Sequence, residues 1–364
     1  MKLFVKLSFI AVSVIIGFAI GVVQVSQAHA STPSHKNNGA FLGHAYVTTA
    51  SYISANVPTL ASNLQYDYAT NRLFVNCGTI NSSGQLSGGA STVSQIGAFL
   101  NAIKTWEDSN PSYSFQVFAY LNGTLDSTNA NFIDVSNATV RANLAAESSK
   151  FTSTGASGSY ISGASREFDG VLIDFEPAGG TSTIATTQFN NLKTTMDQIR
   201  TAIGSGKLTA FAAPQYSATS SSAWSWSPTF YYYMALHVNY IIAMTYDSDS
   251  TTGPAYQSWI EQQTVNILQA VSGEYWTDGS HSAPTNGVQV LFGFPAYPNN
   301  PPNHYAAAEN VQYAASGVAS GLATLDTRAL DTFGAAAVYL TTDGSGSDGY
   351  ASWATDWGDL SLYW

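Results

Sequence analysis

The chain has 364 residues, 45% of them hydrophobic and only 10% charged, with a formal net charge of −11. A polymer this acidic excludes nucleic acid and anionic membrane as partners held by charge; a neutral polymer is the easier ligand. A single cysteine, Cys77, excludes an internal disulfide, and its place in Leu73-Phe74-Val75-Asn76-Cys77 reads as a buried structural thiol rather than a nucleophile.

Residues 1–30 read as a secretory leader. Lys2 and Lys6 precede an uncharged apolar run from Leu7 to Val23, and Ala28-His29-Ala30 is a small-x-small cleavage signal. The expectation is a secreted protein, with no membrane association once the leader is cleaved. An uncleaved anchor is the alternative, since the run is nearly long enough to span a bilayer. A surface poor in carboxylates and rich in Ser, Thr, Asn, Gly and Tyr suits an acidic medium. Residues 31–40 form a polar lead-in, and 41–364 are expected to fold as one domain and to act as a monomer.

Strand-like runs are expected at Gly43–Thr48, Leu73–Gly78, Phe115–Leu121, Gly170–Phe175, Leu208–Ala213, Tyr240–Thr245, Val288–Phe294 and Ala335–Thr341. Helix-period stretches lie between them. Val93, Ile96, Leu100 and Ile103 form one face; Phe189, Leu192, Met196, Ile199 and Ile203 form another, stopped by Gly204. Trp259, Ile260, Val265, Ile267, Leu268 and Val271 form a third, stopped by Gly273. Strands alternating with helical crossovers predict an α/β fold, a closed (β/α)8 TIM barrel in a single domain. An open doubly wound sheet would need a phosphate-binding glycine loop after its first strand, and none is present.

The fourth strand is unusual. In Phe168-Asp169-Gly170-Val171-Leu172-Ile173-Asp174-Phe175-Glu176, side-chain alternation puts Leu172, Asp174 and Glu176 on one face and Val171, Ile173 and Phe175 on the other. Two carboxylates within one pleat of a buried strand cost several kcal/mol unless they are paired or neutralised. Chemistry supplies a reason to keep them: neighbouring carboxylates push their pKa values apart, giving one acid and one charged stabiliser. A salt-bridged pair at the strand end is the alternative.

These residues resemble the strand-four signature of family 18 glycoside hydrolases, Asp-Gly-x-Asp-x-Asp-x-Glu. Asp169, Gly170, Asp174 and Glu176 match; Leu172 stands where most members have an inner aspartate. Met244-Thr245-Tyr246-Asp247 is similar to the family's Met-x-Tyr-Asp, two βα units later. Ala212-Ala213-Pro214-Gln215-Tyr216 is similar to an Ala-Pro-Gln segment, and Gly293-Phe294-Pro295-Ala296-Tyr297 to a Gly-x-Pro-x-Tyr segment. The segment from Phe74-Val75-Asn76 to Ile80-Asn81-Ser82-Ser83-Gly84 also resembles the family, so the likeness covers most of residues 41 to 345. At the end of strand eight, Tyr339 or Leu340 stands where the family has a tryptophan.

The resemblance implies acetamido-assisted hydrolysis of β-linked N-acetylglucosamine glycans, with retention and without cofactor or metal. Glu176 would be the acid and then the base, Asp174 the partner of the acetamido N–H, and Tyr246 a donor to the acetamido oxygen, helped by Asp247. Gln215 and Tyr297 would contact the sugar, or else be satisfied polar groups of the core. Trp224 and Trp226, with Phe230 to Tyr233, are the expected stacking platform; Trp276, Trp353 and Trp357 are weaker candidates, for which core or loop packing is the first reading. Leu172 cannot share a proton with Asp174, so Asp174 is expected to stay fixed toward Glu176, and the Gly179-Gly180 loop is expected to leave the mouth open.

Asp343-Gly-Ser-Gly-Ser-Asp348-Gly349 reads as a glycine-rich turn, because Ala354 takes the place of a calcium loop's glutamate. The six histidines lack ligand spacing. Two other functions stay open: a catalytically impaired glycan-binding lectin on the same barrel, and a conventional two-carboxylate glycosidase. The sequence does not choose among chitin, peptidoglycan and the N-glycan core, nor between endo and exo action.

Overall fold

The computed structural model describes residues 37–66, 70–177, 186–219, 224–296 and 304–339. Eight parallel strands close a barrel in chain order: β1 (Asn38–Leu42), β2 (Thr70–Thr79), β3 (Gln116–Thr124), β4 (Gly170–Glu176), β5 (Leu208–Ala213), β6 (Tyr240–Met244), β7 (Gln289–Pro295) and β8 (Phe333–Tyr339), with β8 pairing back onto β1. The crossover helices are α1 (Ala50–Tyr66), α2 (Ile96–Ser109), α3 (Ala138–Thr152), α4 (Thr186–Ile203), α5 (Pro228–Ala235), α6 (Gly253–Ser272) and α7 (Val311–Leu322). This is a single-domain (β/α)8 barrel. Among the described residues no helix is long and apolar enough to cross a membrane.

Strand alternation sorts the core into two layers. Val171, Ile173 and Phe175 of β4 face outward with Val117, Ala119 and Leu121 of β3, and meet the helix faces carrying Phe189, Leu192, Met196 and Ile199. Leu172 faces inward with Phe41, Phe74, Phe118, Tyr120 and Ile242. Rings on β1 to β3 fill the interior, with Phe41 and Phe74 at 5.0 Å and Phe74 and Phe118 at 5.2 Å between centroids. Alanines 210, 212 and 337 on β5 and β8 make room for them. Each buried ring contributes roughly 1.5–3 kcal/mol over exposure.

Seven of the eight expected strands lie where the pattern put them, and the first does not. Strand β1 is Asn38–Leu42, beginning inside the polar lead-in, while Ala45–Thr48 is a helical turn. Asn38 and Gly39 hide the strand from an apolar pattern. The Asn38 side chain is buried and accepts the Ala336 N–H of β8 at 3.2 Å. A Cβ on Gly39 would lie 2.7 Å from the Phe74 ring, so the crowded interior demands a residue that looks like a loop. The helix stops at Gly204 and Gly273 are as expected, both with positive φ. Cys77 is fully buried, and burial pushes its thiol well up.

Candidate active site

Strand β4 is pinned at its base before it presents its acids. Asp169 accepts the Val117 N–H at 2.8 Å and pairs with Arg166 at 2.7 Å, so this first aspartate is structural. A Cβ on Gly170 would meet the Leu208 carbonyl at 2.2 Å and would force β4 away from β5. Six residues further up, Glu176 reaches the mouth and is exposed, while Asp174 below it is 5% exposed.

The β3–β4 register sets Tyr120 beside Leu172, Asn122 beside Asp174 and Thr124 beside Glu176. The Tyr120 hydroxyl donates to Asp174 Oδ2 at 2.7 Å, whereas Asp174 Oδ1 is buried with no hydrogen-bond partner. Both carboxyls are pushed up. For Asp174 the cause is burial, offset by the Tyr120 hydrogen bond; for Glu176 it is desolvation, then the charges of Asp174 and Asp247. Asp174, Glu176, Tyr120, Asn122, Thr124 and Tyr339 line an open cavity of about 360 Å³, which Asn129 and Asn131 extend.

Tyr246 ends β6. It packs over Gly293 of β7, where a Cβ would lie 3.2 Å from its ring, and stacks on Tyr339 at 5.7 Å and 14°. Tyr339 is thus the aromatic residue at the end of β8; Leu340 lies outside the described residues. The loop beyond Tyr246 is strained, with Asp247 at φ +55° and Asp249 at φ +61°. Glu309 holds it. This fully buried carboxylate accepts the N–H groups of Asp247 (2.8 Å) and Ser248 (2.9 Å) and the Ser248 hydroxyl (2.8 Å). His304 Nδ1 lies 3.0 Å from Glu309 and 3.3 Å from Asp247. Burial alone would lower this imidazole, but the two carboxylates outweigh burial and push it up to about 9. Asp247, His304 and Glu309 bring three metal-type donor atoms within 4.8 Å of one another. With the imidazole at hydrogen-bond distance from both acids, the arrangement is that of an ion-pair network anchoring the loop.

The expected stacking platform is corrected in part. Trp226 is 2% exposed, stacked on Phe211 at 5.4 Å with its edge toward Phe189 and Tyr231, so it belongs to the core outside the barrel. Tyr231 and Tyr232 are buried and Phe230 stacks on Phe189 at 4.0 Å, so these three pack; Tyr233 is exposed, with the Lys193 ammonium 4.8 Å from its ring centre. Trp224 is half-buried and packs with Tyr246 and Tyr339 against the inner cluster. Gln215 is half-buried on a two-residue ladder that pairs it with Ser225. Trp276 stacks on His281 at 3.8 Å, a packing role. Tyr297, Gly179-Gly180, the 343–349 turn, Trp353, Trp357 and the leader lie outside the described residues.

No protein-family model and no curated protein sequence matches the chain. Solved structures do. A chitinase from Chromobacterium violaceum ATCC 12472 covers 90% of this chain and 99% of its own at 14% identity, with a TM-score of 0.51. A GH18 chitinase from Pseudoalteromonas aurantia covers 83% and 93% at 14% identity, with a TM-score of 0.51. Ostrinia furnacalis Group IV chitinase in complex with allosamidin covers 83% and 92% at 14% identity, with a TM-score of 0.50.

The fold is that of the family 18 chitinases.

In this chitinase-like barrel the motifs did not point to Tyr120 and Asn122, which line the cavity, or to His304 and Glu309, which hold the Asp247 loop. Tyr120 and Asn122 were legible in principle, since they alternate with Ala119 and Leu121 on one face of β3. Glu309 stands after three alanines; His304 is five residues before it, but Asp247 and Ser248 lie 62 and 61 positions away.

Proposed function

We propose that this protein is a secreted glycoside hydrolase that cleaves β-linked N-acetylglucosamine glycans with help from the substrate's own acetamido group. The observation that carries the reading is the Asp174–Glu176 pair. Both acids lie on the inner face of one strand at the barrel mouth, both are pushed up, and a buried Asp174 oxygen is left unused beside the cavity. A protonated Glu176 gives its proton to the glycosidic oxygen as the C1–O bond breaks. The acetamido oxygen attacks C1 from the opposite face, and Asp174 Oδ1 accepts the acetamido N–H, balancing the positive charge of the cyclised intermediate. Glu176, now a carboxylate, takes a proton from water as that water opens the ring, so the enzyme returns to its starting state with retention.

In this reading Tyr246, which stacks on the cavity-lining Tyr339, donates to the acetamido oxygen, helped by Asp247. Trp224 and Tyr339 offer ring faces to the sugar, and Gln215 and Tyr297 are further contacts by motif. The leader in residues 1–30 is the basis for secretion.

The test is a matched pair of substrates with one variant. N-acetylglucosamine oligomers should be cleaved and glucose oligomers of equal length left intact. Glu176→Gln should lower turnover by about 10²–10⁴ while oligomer binding persists. Equal cleavage of both oligomers would remove substrate assistance and favour a two-carboxylate mechanism. Binding without turnover in the wild type would leave the lectin reading.

A further inference from the structure

The strand that carries Asp174 gives it no hydrogen-bonding neighbour below. The next residue down on the inner face is Leu172, which is fully buried. The neighbouring strand fills that gap. Tyr120 is paired in register with Leu172, is 6% exposed, and sends its hydroxyl over the leucine to Asp174 Oδ2 at 2.7 Å. Its ring is held edge-on by Phe41 at 5.5 Å, so the hydroxyl is aimed by packing.

We propose that Tyr120 is a positioning residue that substitutes from β3 for the polar partner missing at Leu172, keeping Asp174 ionised and turned so that Oδ1 faces the cavity. The proposal rests on the reading of Asp174 as the group that receives the substrate N–H. The titratable groups facing Asp174 are Tyr120 from β3, Tyr339 from β8 and Glu176 from its own strand, with Asp247 of the β6 loop beyond Glu176. None of these is a cation. A buried carboxylate without a cation needs strong donors to remain charged. Burial and the Asp174 charge keep the Tyr120 phenol protonated, so it is a donor across the working pH range, unlike a second acid, which would titrate. Tyr339 of β8 lies beside Tyr120, and its own hydroxyl is kept protonated by burial and by the Asp174 charge.

The experiment is Tyr120→Phe in the full chain, which keeps the packed ring and removes one oxygen. Turnover of N-acetylglucosamine oligomers should fall about 10- to 100-fold, as expected for loss of one charged hydrogen bond, with KM changed by less than about 3-fold. Losing a donor to the carboxylate raises the Asp174 pKa, so the acid limb of the rate profile should move to higher pH. A merely structural role would lower the melting temperature and leave that limb in place. Carboxyl NMR titration of Asp174, assigned with Asp174→Asn, reads the same shift without turnover: a higher midpoint in Tyr120→Phe supports the proposal, and an unchanged midpoint overturns it. A wild type inert on the oligomers would overturn the functional reading alone, because the titration still decides the role of Tyr120.

Discussion

Glu309→Gln is a sharp probe of the loop that carries Asp247, because the two side chains have one shape and differ in what they accept. Glu309 Oε1 now receives the Ser248 N–H at 2.9 Å, the Ser248 hydroxyl at 2.8 Å and the Ser250 N–H at 3.3 Å. Oε2 receives the Asp247 N–H at 2.8 Å and faces His304 Nδ1 at 3.0 Å. Whichever way the amide is turned, its nitrogen confronts at least two donors. A buried donor left unmet costs about 1–3 kcal/mol, and breaking one side of a buried ion pair about 3–5 kcal/mol. At about 2 °C per kcal/mol for a large domain, the melting temperature should fall by about 5–10 °C near pH 6.

The pH dependence has a definite sign. His304 is raised from about 6.5 in an unfolded chain to about 9 in the folded one. Its contribution to stability is fully present below about pH 6.5 and is lost as the pH rises through about 9. The gap between wild type and variant should therefore be widest near pH 6 and shrink toward alkaline pH, in thermal melts taken across that range. Turnover should fall as well, since the φ of +55° at Asp247 is held by these bonds. Melts that coincide near pH 6, or a gap that grows with pH, would refute the ion-pair account.

Three further outcomes are expected. Trp226→Ala should destabilise the fold by about 3–5 kcal/mol, because the ring is packed in the core. Trp224→Ala should instead weaken oligomer binding with little loss of stability, and the reverse pattern in melts and binding isotherms would restore Trp226 as the platform. The alkaline limb of the rate profile should lie well above the ordinary glutamate range, because desolvation and the Asp174 charge hold Glu176 protonated. In Asp174→Asn the residual activity should show that limb at lower pH, and a fixed limb would exclude Glu176 as the titrating acid. The segments that follow each barrel strand contain no lysine or arginine in sequence, and Arg141, early in α3, is turned onto the carbonyls of Val135 and Ser136. Glycans bearing lactyl carboxylates should thus be cleaved at least about 10-fold more slowly than neutral chains at low salt, with the difference narrowing as salt is added; equal rates at low salt would argue against it.

The sequence by itself determined the barrel and the strand that bears the acids. Both follow from local rules: alternation placed Asp174 and Glu176 on the face opposite Val171, Ile173 and Phe175, and the 3.6-residue period placed Phe189 to Ile203 against the sheet. It misplaced β1, because the crowded interior required Asn38 and Gly39 where an isolated strand would show apolar residues. It also put Trp226 on the surface, since an aromatic residue in a loop reads alike whether it faces sugar or core. Tertiary structure alone decided the partners of the acids. Tyr120 reaches Asp174 from 54 positions away and Glu309 grips Ser248 from 61 away. Such contacts depend on strand register and barrel closure, which bring residues together by where the chain returns and leave no spacing in the sequence to read.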